Sequence, residues 1–400
     1  MQHLAVTGAL DVRDTILAAN ANGTVLAVQA GNSKAALGHP ASAGATLDVG
    51  GIAGIVDYDP AELVLTAKPG TPLPEIEALL AQRGQHLAFE PPAYAALLAS
   101  TGIATLGGTL AANASGPRRI SAGAARDHFL GVQAVSGRGE VFKAGGRVVK
   151  NVTGYDLPKL LAGSFGTLAV MTEVTVKVLP APETTATVLV RGLSAAAAIR
   201  RLTEVTGTSI DCSGLAHLPP AVAARSAVTD VASAGSSVTA LRVEGIAASV
   251  QARVATLRGL VAGLGDVGLL DHDASRTLWH EVREVSLLPR EGIVWRVSVP
   301  PKEGAAVAGA LAQTTQSEVL FDWAGGLLWI ALPGDAPQAD LVRAAVAACG
   351  GHATLMRAPA EVRRGVAVFQ PQAPALAALT RRVKEAFDPA GVLNPGRMVV

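Results

Sequence analysis

Cysteine is almost missing from this sequence: Cys212 and Cys349 are the only two in 400 residues. Two isolated thiols cannot build a disulfide framework, a structural zinc site or an iron–sulfur cluster. They fit a reducing compartment. Aromatic residues are scarce as well, at 4%, and charge nearly cancels, with 33 Lys and Arg against 32 Asp and Glu. Without a basic field there is little to attract a phosphate backbone, which excludes nucleic acid as a partner. Long apolar runs are also lacking. The longest uncharged stretch, Pro91–Pro117, is broken by Ser, Thr, Asn, Gly and prolines, so no membrane-spanning helix is expected. Residues 1–22 contain Asp11, Arg13 and Asp14 with no cationic cap ahead of an apolar core, unlike a signal peptide, and a cytoplasmic location is expected.

Small apolar side chains and glycine are abundant. Half of the residues are apolar, enough for sizeable cores in two or three domains. Of the 43 glycines, 23 lie in the first 180 residues and 13 of these between Gly102 and Gly166. The run Val25–Val28 reads as a buried strand entering the loop Gln29–Lys34. Leu63–Ala67 reads as a second strand, followed by a helix over Glu75–Arg83 with Thr71 as its cap and Gly84 as its stop. A hairpin is expected around Ser136–Gly139, and a strand alternating Val174, Val176 and Val178 with Thr175 and Lys177. Pro180-Ala181-Pro182 then breaks the pattern.

Beyond it, strand-then-helix pairs recur at Thr184–Val205, Val238–Val261 and Ile293–Gln313, with a hairpin over Glu318–Ala331 and helices over Ala339–Ala348 and Ala377–Phe387. This suggests an antiparallel sheet with helices on one face. Glycine clusters at strand ends let backbone N–H groups converge on an anion, since no Cβ obstructs and positive φ is accessible. Three occur in the first part, Gly31–Gly38, Gly107–Gly116 and Gly163–Gly166, and Gly107-Gly108 opens an expected helix whose first N–H groups could face a phosphate. A dinucleotide is the natural ligand.

The order of these motifs resembles a known family. Gly31-Asn32-Ser33-Lys34, Pro69-Gly70-Thr71-Pro72, Phe89-Glu90-Pro91-Pro92, Leu106-Gly107-Gly108-Thr109, Asn113 to Arg119, Lys150-Asn151-Val152-Thr153-Gly154-Tyr155 and Gly163-Ser164-Phe165-Gly166-Thr167 resemble the FAD-binding domain of the vanillyl-alcohol-oxidase (PCMH) type. More narrowly, they resemble the FAD-binding E subunits of bacterial glycolate oxidases, and Phe387 to Arg397 resembles that family's C-terminal return to the flavin domain. The resemblance implies an α+β fold in which a two-subdomain FAD-binding domain, residues 1–180, carries a second α+β, ferredoxin-like cap, residues 181–376, with residues 377–400 returning to the first.

By the same resemblance the FAD pyrophosphate rests on Gly31, Asn32, Ser33 and Lys34 and on the backbone at Gly107 and Gly108. Pro69, Gly70, Thr71, Asn113, Ser115, Gly116, Ser121, Asp127, Gly163, Gly166, Thr167, Val170 and Asn394 complete the implied cofactor set. Some members attach the flavin through a His in the glycine loop; Asn32 and Ser33 stand here instead, so FAD is expected to be non-covalent. The His-rich metal or base motif of relatives that oxidise 2-hydroxy acids is not found, and no metal site is expected. Its eight His (3, 39, 86, 128, 217, 272, 280 and 352) are scattered, and no catalytic residue is assigned.

Two other matches fail on context. Gly263–Gly268 has the G-x-G-x-x-G spacing but follows a helical stretch, and His280-Glu281 lacks the second His of a zinc-protease helix. In the cap, Trp279, Arg283, Trp295, Arg296, Asp322 and Trp323 are candidates for a carboxylate-binding cleft, for a subunit interface, or for plain core. The resemblance implies an FAD-binding subunit that accepts or relays electrons as a 2-hydroxy acid, glycolate, is oxidised to glyoxylate, with a catalytic flavoprotein subunit and an iron–sulfur subunit as partners, peripheral at the inner membrane through that complex. A self-sufficient FAD-linked 2-hydroxy acid dehydrogenase, or a structural subunit whose FAD does not turn over, are the alternatives.

Overall fold

A computed structural model describes residues 2–40, 42–147 and 154–398; the Lys150–Thr153 part of the expected motif lies outside them. The chain begins with a three-stranded parallel sheet in which Ala45–Asp48 lies between Gln2–Ala5 and Leu26–Gln29. The helix Ala9–Asn22 buries Val12, Ile16 and Ala19, spaced to form one face, and ends at Gly23, whose φ of 63° closes the last turn.

A five-stranded antiparallel sheet follows, in the order Ile55–Asp59, Val64–Ala67, Ala169–Lys177, Phe129–Ser136, Val141–Gly145. Val174, Val176 and Val178 share a core with Leu73, Ile76 and Leu80 of the helix Leu73–Ala81. That helix starts two residues earlier than its sequence suggests, with Pro72 and not Thr71 at its N-cap. Thr71 is fully buried, and its hydroxyl is taken by the loop below: it accepts from Gly54 N–H and lies 2.7 Å from the Lys68 carbonyl.

Strands from Thr184 to Arg357 form one eight-stranded antiparallel sheet. Thr184–Arg191, Gly214–Leu218, Val238–Gly245 and Asp266–Leu270, with helices Ala195–Thr206 and Ala247–Val261, make a βαββαβ unit of strand order 4-1-3-2. Ile293–Ser298, Glu318–Asp322, Leu327–Leu332 and His352–Arg357, with helices Gly304–Ala312 and Ala339–Ala347, repeat that ferredoxin-like order, and the two units join edge to edge where His217 faces Phe321.

Alternate side chains of this sheet feed two cores. In Leu327–Leu332, Leu328, Ile330 and Leu332 pack with the four helices, whereas Leu327, Trp329 and Ala331 join Tyr94, Leu97 and Leu98 from the first part of the chain and the helix His272–Glu284. The helices of the two repeats are on one face, as expected; the other face is the docking surface of the first part. The Gly263–Gly268 spacing is the turn into the edge strand Asp266–Leu270, with Gly265 close against the Arg191 carbonyl, and no helix N-terminus follows it directly. The helix Pro374–Phe387 leads to Asp388–Arg397, which returns to the first sheet: Leu26 N–H donates to Val392 O and Asn394 N–H to Leu26 O.

Four buried charges fasten the two halves together. Arg242 of the cap makes a bidentate pair with Glu90 at 2.8 and 3.0 Å, and Arg118 makes one with Glu244 at 2.9 and 3.0 Å. Burial pushes both carboxyls up, but the two guanidiniums more than reverse this and hold Glu90 and Glu244 below the ordinary range. Arg242→Ala takes the bidentate partner from the buried Glu90 and should cost about 3–5 kcal/mol, read from the denaturant midpoint. Since both folded pKa values are depressed, the stabilisation is complete above the unfolded value of about 4.3 and is lost as pH falls through the lower folded ones. Glu244→Gln should therefore flatten the acid limb of a stability–pH curve; an unchanged limb would refute the assignment.

Candidate functional site

At the end of Leu26–Gln29 the chain turns through Gly31, where a Cβ would lie 1.9 Å from Ile103 O, and through Asn32 at φ 58°. Only glycine permits this approach to residues 102–105. Asn32 pairs with Ile103 in an isolated parallel bridge, which engages one N–H at Asn32 or Ser33, whereas among the described residues the N–H groups of Gly31 and Lys34 find no acceptor. Free donors on either side of one left-handed residue make a concavity of the anion-binding nest type. Lys34 is buried beside it with Nζ 3.4 Å from Ser33 Oγ; burial lowers its pKa to about 8, and Glu284 opposes the shift. Arg397, back from the C-terminal segment, donates to Ala35 O at 3.2 Å. These groups surround a pocket of about 140 Å³ whose far wall is Thr105, Gly108, Ala112 and Phe165.

The helix Leu106–Ala112 does not offer its N-terminus to this pocket. Thr105 caps it by accepting from Gly108 N–H; Leu106 N–H donates to Thr71 O and Gly107 N–H to Pro69 O. Pro69, Gly70 and Thr71 are thus the platform under the helix. A Cβ on Gly70 would meet three carbonyls at 2.7–2.8 Å, and one on Gly107 would meet Pro69 Cβ at 2.5 Å. Gly108 alone of the pair borders the pocket.

A second chamber of about 300 Å³ continues from the first past Ala112 and Phe165, which line both. Asn113, Ser115, Gly163 and Phe165 form one wall; Arg296, His352 and Phe369 form the other, with Tyr94 and Arg119 between them. Asn113 Oδ1 accepts from Arg126 N–H and Ser115 Oγ from Ala125 N–H, so both side chains also hold the following turn. Gly116 passes so close to Glu90 that a Cβ would meet its carbonyl at 2.7 Å. Asn394 fastens the trough from behind: Oδ1 accepts from Val28 N–H, and Nδ2 donates to Phe165 O at 2.9 Å beside Gly166. Thr167 bonds Ser164 O, and Val170 is core. Ser121 and Asp127 are exposed outside both chambers, bonded to Arg118 O and Ala124 N–H.

Sequence reading singled out neither Tyr94, Ile103, Phe369 nor Arg397 as site residues, because they meet the glycine loop only in three dimensions. Of the six cap candidates, Arg296 lines the chamber and Trp323 stacks beside it, 5.1 Å from the Arg296 guanidinium. Trp279 is packed on Arg242 and Trp295 on Arg343, both in the core, while Arg283 pairs with Glu284. His128 lies with its ring nitrogens against the Ala122 and Lys177 carbonyls, and His86 lines a separate groove. Among the described residues, no three His, Cys, Asp or Glu converge as a metal site, and no helix is long and apolar enough to cross a membrane.

Free N–H donors at Gly31 and Lys34 with two cations, followed by a larger chamber, fit a dinucleotide diphosphate and a ring system such as that of FAD. Gly108→Val should weaken FAD binding at least tenfold while leaving the melting curve of the FAD-free protein nearly unchanged. Gly107→Val should instead cost about 1–3 kcal/mol of stability by overpacking Pro69. Equal effects of the two on FAD affinity would refute the distinction.

The family model "FAD binding domain" matches residues 4–145, and "FAD linked oxidases, C-terminal domain" matches residues 369–398. The chain is similar to p-cresol methylhydroxylase, with a TM-score of 0.74 at 14% identity over 100% of this chain and 88% of that one, a likeness of fold alone. It is 32% identical to glycolate oxidase subunit GlcD of Bacillus subtilis over 39% of this chain and 32% of that protein. To glycolate oxidase subunit GlcE of Escherichia coli it is 38% identical over 94% of this chain and 93% of that protein. An alignment that spans both proteins almost end to end, on a fold of the flavin-oxidase type, places this chain in the family of the glycolate oxidase E subunits.

Proposed function

We propose that the protein is the FAD-binding subunit of a glycolate oxidase complex, in which glycolate is oxidised to glyoxylate. The turn Gly31–Lys34, with the N–H groups of Gly31 and Lys34 without an acceptor among the described residues and backed by the Lys34 and Arg397 side chains at the mouth of a two-chamber trough, carries the reading. FAD supplies a two-electron acceptor. The protein's own groups bind and orient it. The nest and Lys34 take the diphosphate, Gly108 leaves room beside it, and Asn113, Ser115, Gly116 and Gly163 border the ring system. Pro69, Gly70, Thr71, Gly107, Gly166, Thr167, Val170 and Asn394 hold these walls in register from behind. Residues 1–180 and 377–400 serve as the flavin-binding domain, with 181–376 as its cap. The loop Gly31–Lys34 carries no His, Cys or Tyr, which favours a non-covalent cofactor.

Two cysteines, Cys212 and Cys349, are too few to supply the four thiolates of a cluster. Electrons that reach this flavin therefore pass to other subunits, a catalytic flavoprotein and an iron–sulfur protein, in a complex peripheral to the membrane.

Expressed alone, the chain should purify yellow, release all its flavin into the supernatant on acid precipitation, and keep its colour when glycolate is added. A colourless folded protein that takes up no FAD would overturn the reading, and flavin retained in the acid pellet would overturn non-covalent attachment. Lys34, with its pKa lowered to about 8, is charged below that pH and neutral above it. FAD affinity should thus fall as pH rises past about 8, and Lys34→Ala should abolish that dependence in a fluorescence titration.

A further inference from the structure

Arg119 and Arg296 stand apart from the other arginines of the protein. Every other arginine shielded from solvent to a comparable degree has a hydrogen-bond acceptor: Arg118 and Arg242 have carboxylates, and Arg357, Arg363 and Arg397 have carbonyls. Among the described residues Arg119 and Arg296 have none, although both line the 300 Å³ chamber. Their guanidiniums lie over the same indole, 4.7 and 5.1 Å from the Trp323 ring centre. Two like charges meet there, one from each side of the cleft, with no carboxylate of the protein bonded to either.

The acids nearby are otherwise engaged. Asp127 caps a turn at Ala124 N–H, and Asp322 accepts from Trp323 N–H with its carboxyl pushed up by burial to about 7, which leaves it a partial counter-charge at best. Burial, with both arginines adding, keeps His352 neutral on the same wall. The Tyr94 hydroxyl faces the chamber without a partner among the described residues, and burial holds its proton on. Backbone strain maintains the arrangement. Trp323, Ala324 and Gly325 have φ of 51°, 56° and 95°, an unusual run in which the two non-glycine residues are strained. The turn delivers the Trp323 ring between the cleft walls, where Nε1 donates to Gly116 O at 3.3 Å. Stacking alone leaves the guanidinium N–H groups unsatisfied, and a bound anion would satisfy them.

We propose that Arg119 and Arg296, with the Tyr94 hydroxyl, form a binding site for the carboxylate of a small organic acid, so that this subunit engages such an acid itself. The inference rests on the flavin placement proposed above, because the site opens onto the chamber assigned to the ring system. A planar carboxylate matches the fork of a guanidinium, and a chamber shared with a flavin ring leaves room only for an acid of a few carbon atoms.

Oxalate, a small acid that cannot be oxidised as glycolate is, serves as the probe, titrated by calorimetry and tryptophan fluorescence into the full chain with and without FAD. One saturable site is expected, weakened at least tenfold in Arg119→Leu and in Arg296→Leu and only partly restored in Arg296→Lys, which keeps the charge and loses the fork, with the melting curves of the variants checking their folding. No oxalate binding to FAD-loaded protein, or equal binding to the double leucine variant, would overturn the site. Equal affinity for chloride and inorganic phosphate would overturn the carboxylate assignment. If the leucine variants lose FAD but keep oxalate, the arginines serve the flavin and the proposal fails. Oxalate binding by a chain that takes up no FAD would sink the flavin reading and leave the arginine site standing.

Discussion

Everything in the cleft depends on the square of buried charges formed by Glu90, Arg118, Arg242 and Glu244. Each carboxylate has one arginine on its own side at 3.3 Å and gains its bidentate partner only across the contact between the eight-stranded sheet and the first part of the chain. Pulling the halves apart exposes four charges that must each find water, while leaving one pair half-made inside is costlier still. The neighbouring fastenings share this direction: Glu284 accepts from Ala93 and Tyr94 N–H, and Arg363 donates to Gly38 O. The cleft is held at one width, and the residues that line it inherit their geometry from the clamp around it.

Within that frame glycine performs two tasks that sequence cannot separate. Gly31, Gly70 and Gly107 let protein approach protein, since a Cβ at each would strike backbone or Pro69. Gly108 lets the pocket approach protein. The free donors facing the pocket belong to the Gly31–Lys34 turn, because Thr71, Pro69 and Thr105 consume those of the helix behind it.

The glycine clusters, the strand entering the Gly31–Lys34 turn, the α+β fold class and the flavin family were legible in the sequence, since each is written in local chemistry. Thr71 was misplaced as a cap because its hydroxyl is claimed by Gly54, 17 residues away. The strands Gly214–Leu218, Asp266–Leu270 and His352–Arg357 escaped notice because they are short, and Asp266–Leu270 lies on an edge where little alternation is needed. Rarity drew attention to Arg296 and Trp323, but it marked Trp279 and Trp295 equally, and only the packing separates those facing the cleft from those stacked in the core. Tyr94 and Arg119 gave no local signal. Their significance arises from the cap residues they meet across the cleft.

The C-terminal return has a consequence in time. Arg397, which closes the mouth of the nest, joins the chain 363 residues after Lys34, whose carbonyl it approaches. At about 5–20 residues per second a ribosome needs roughly 20–70 seconds to bridge that gap. During this interval the nest exists without its closing cation, and Val28 and Phe165 lack the amide of Asn394 that ties them together. The walls of the trough are thus complete only after the last turn of the chain has docked.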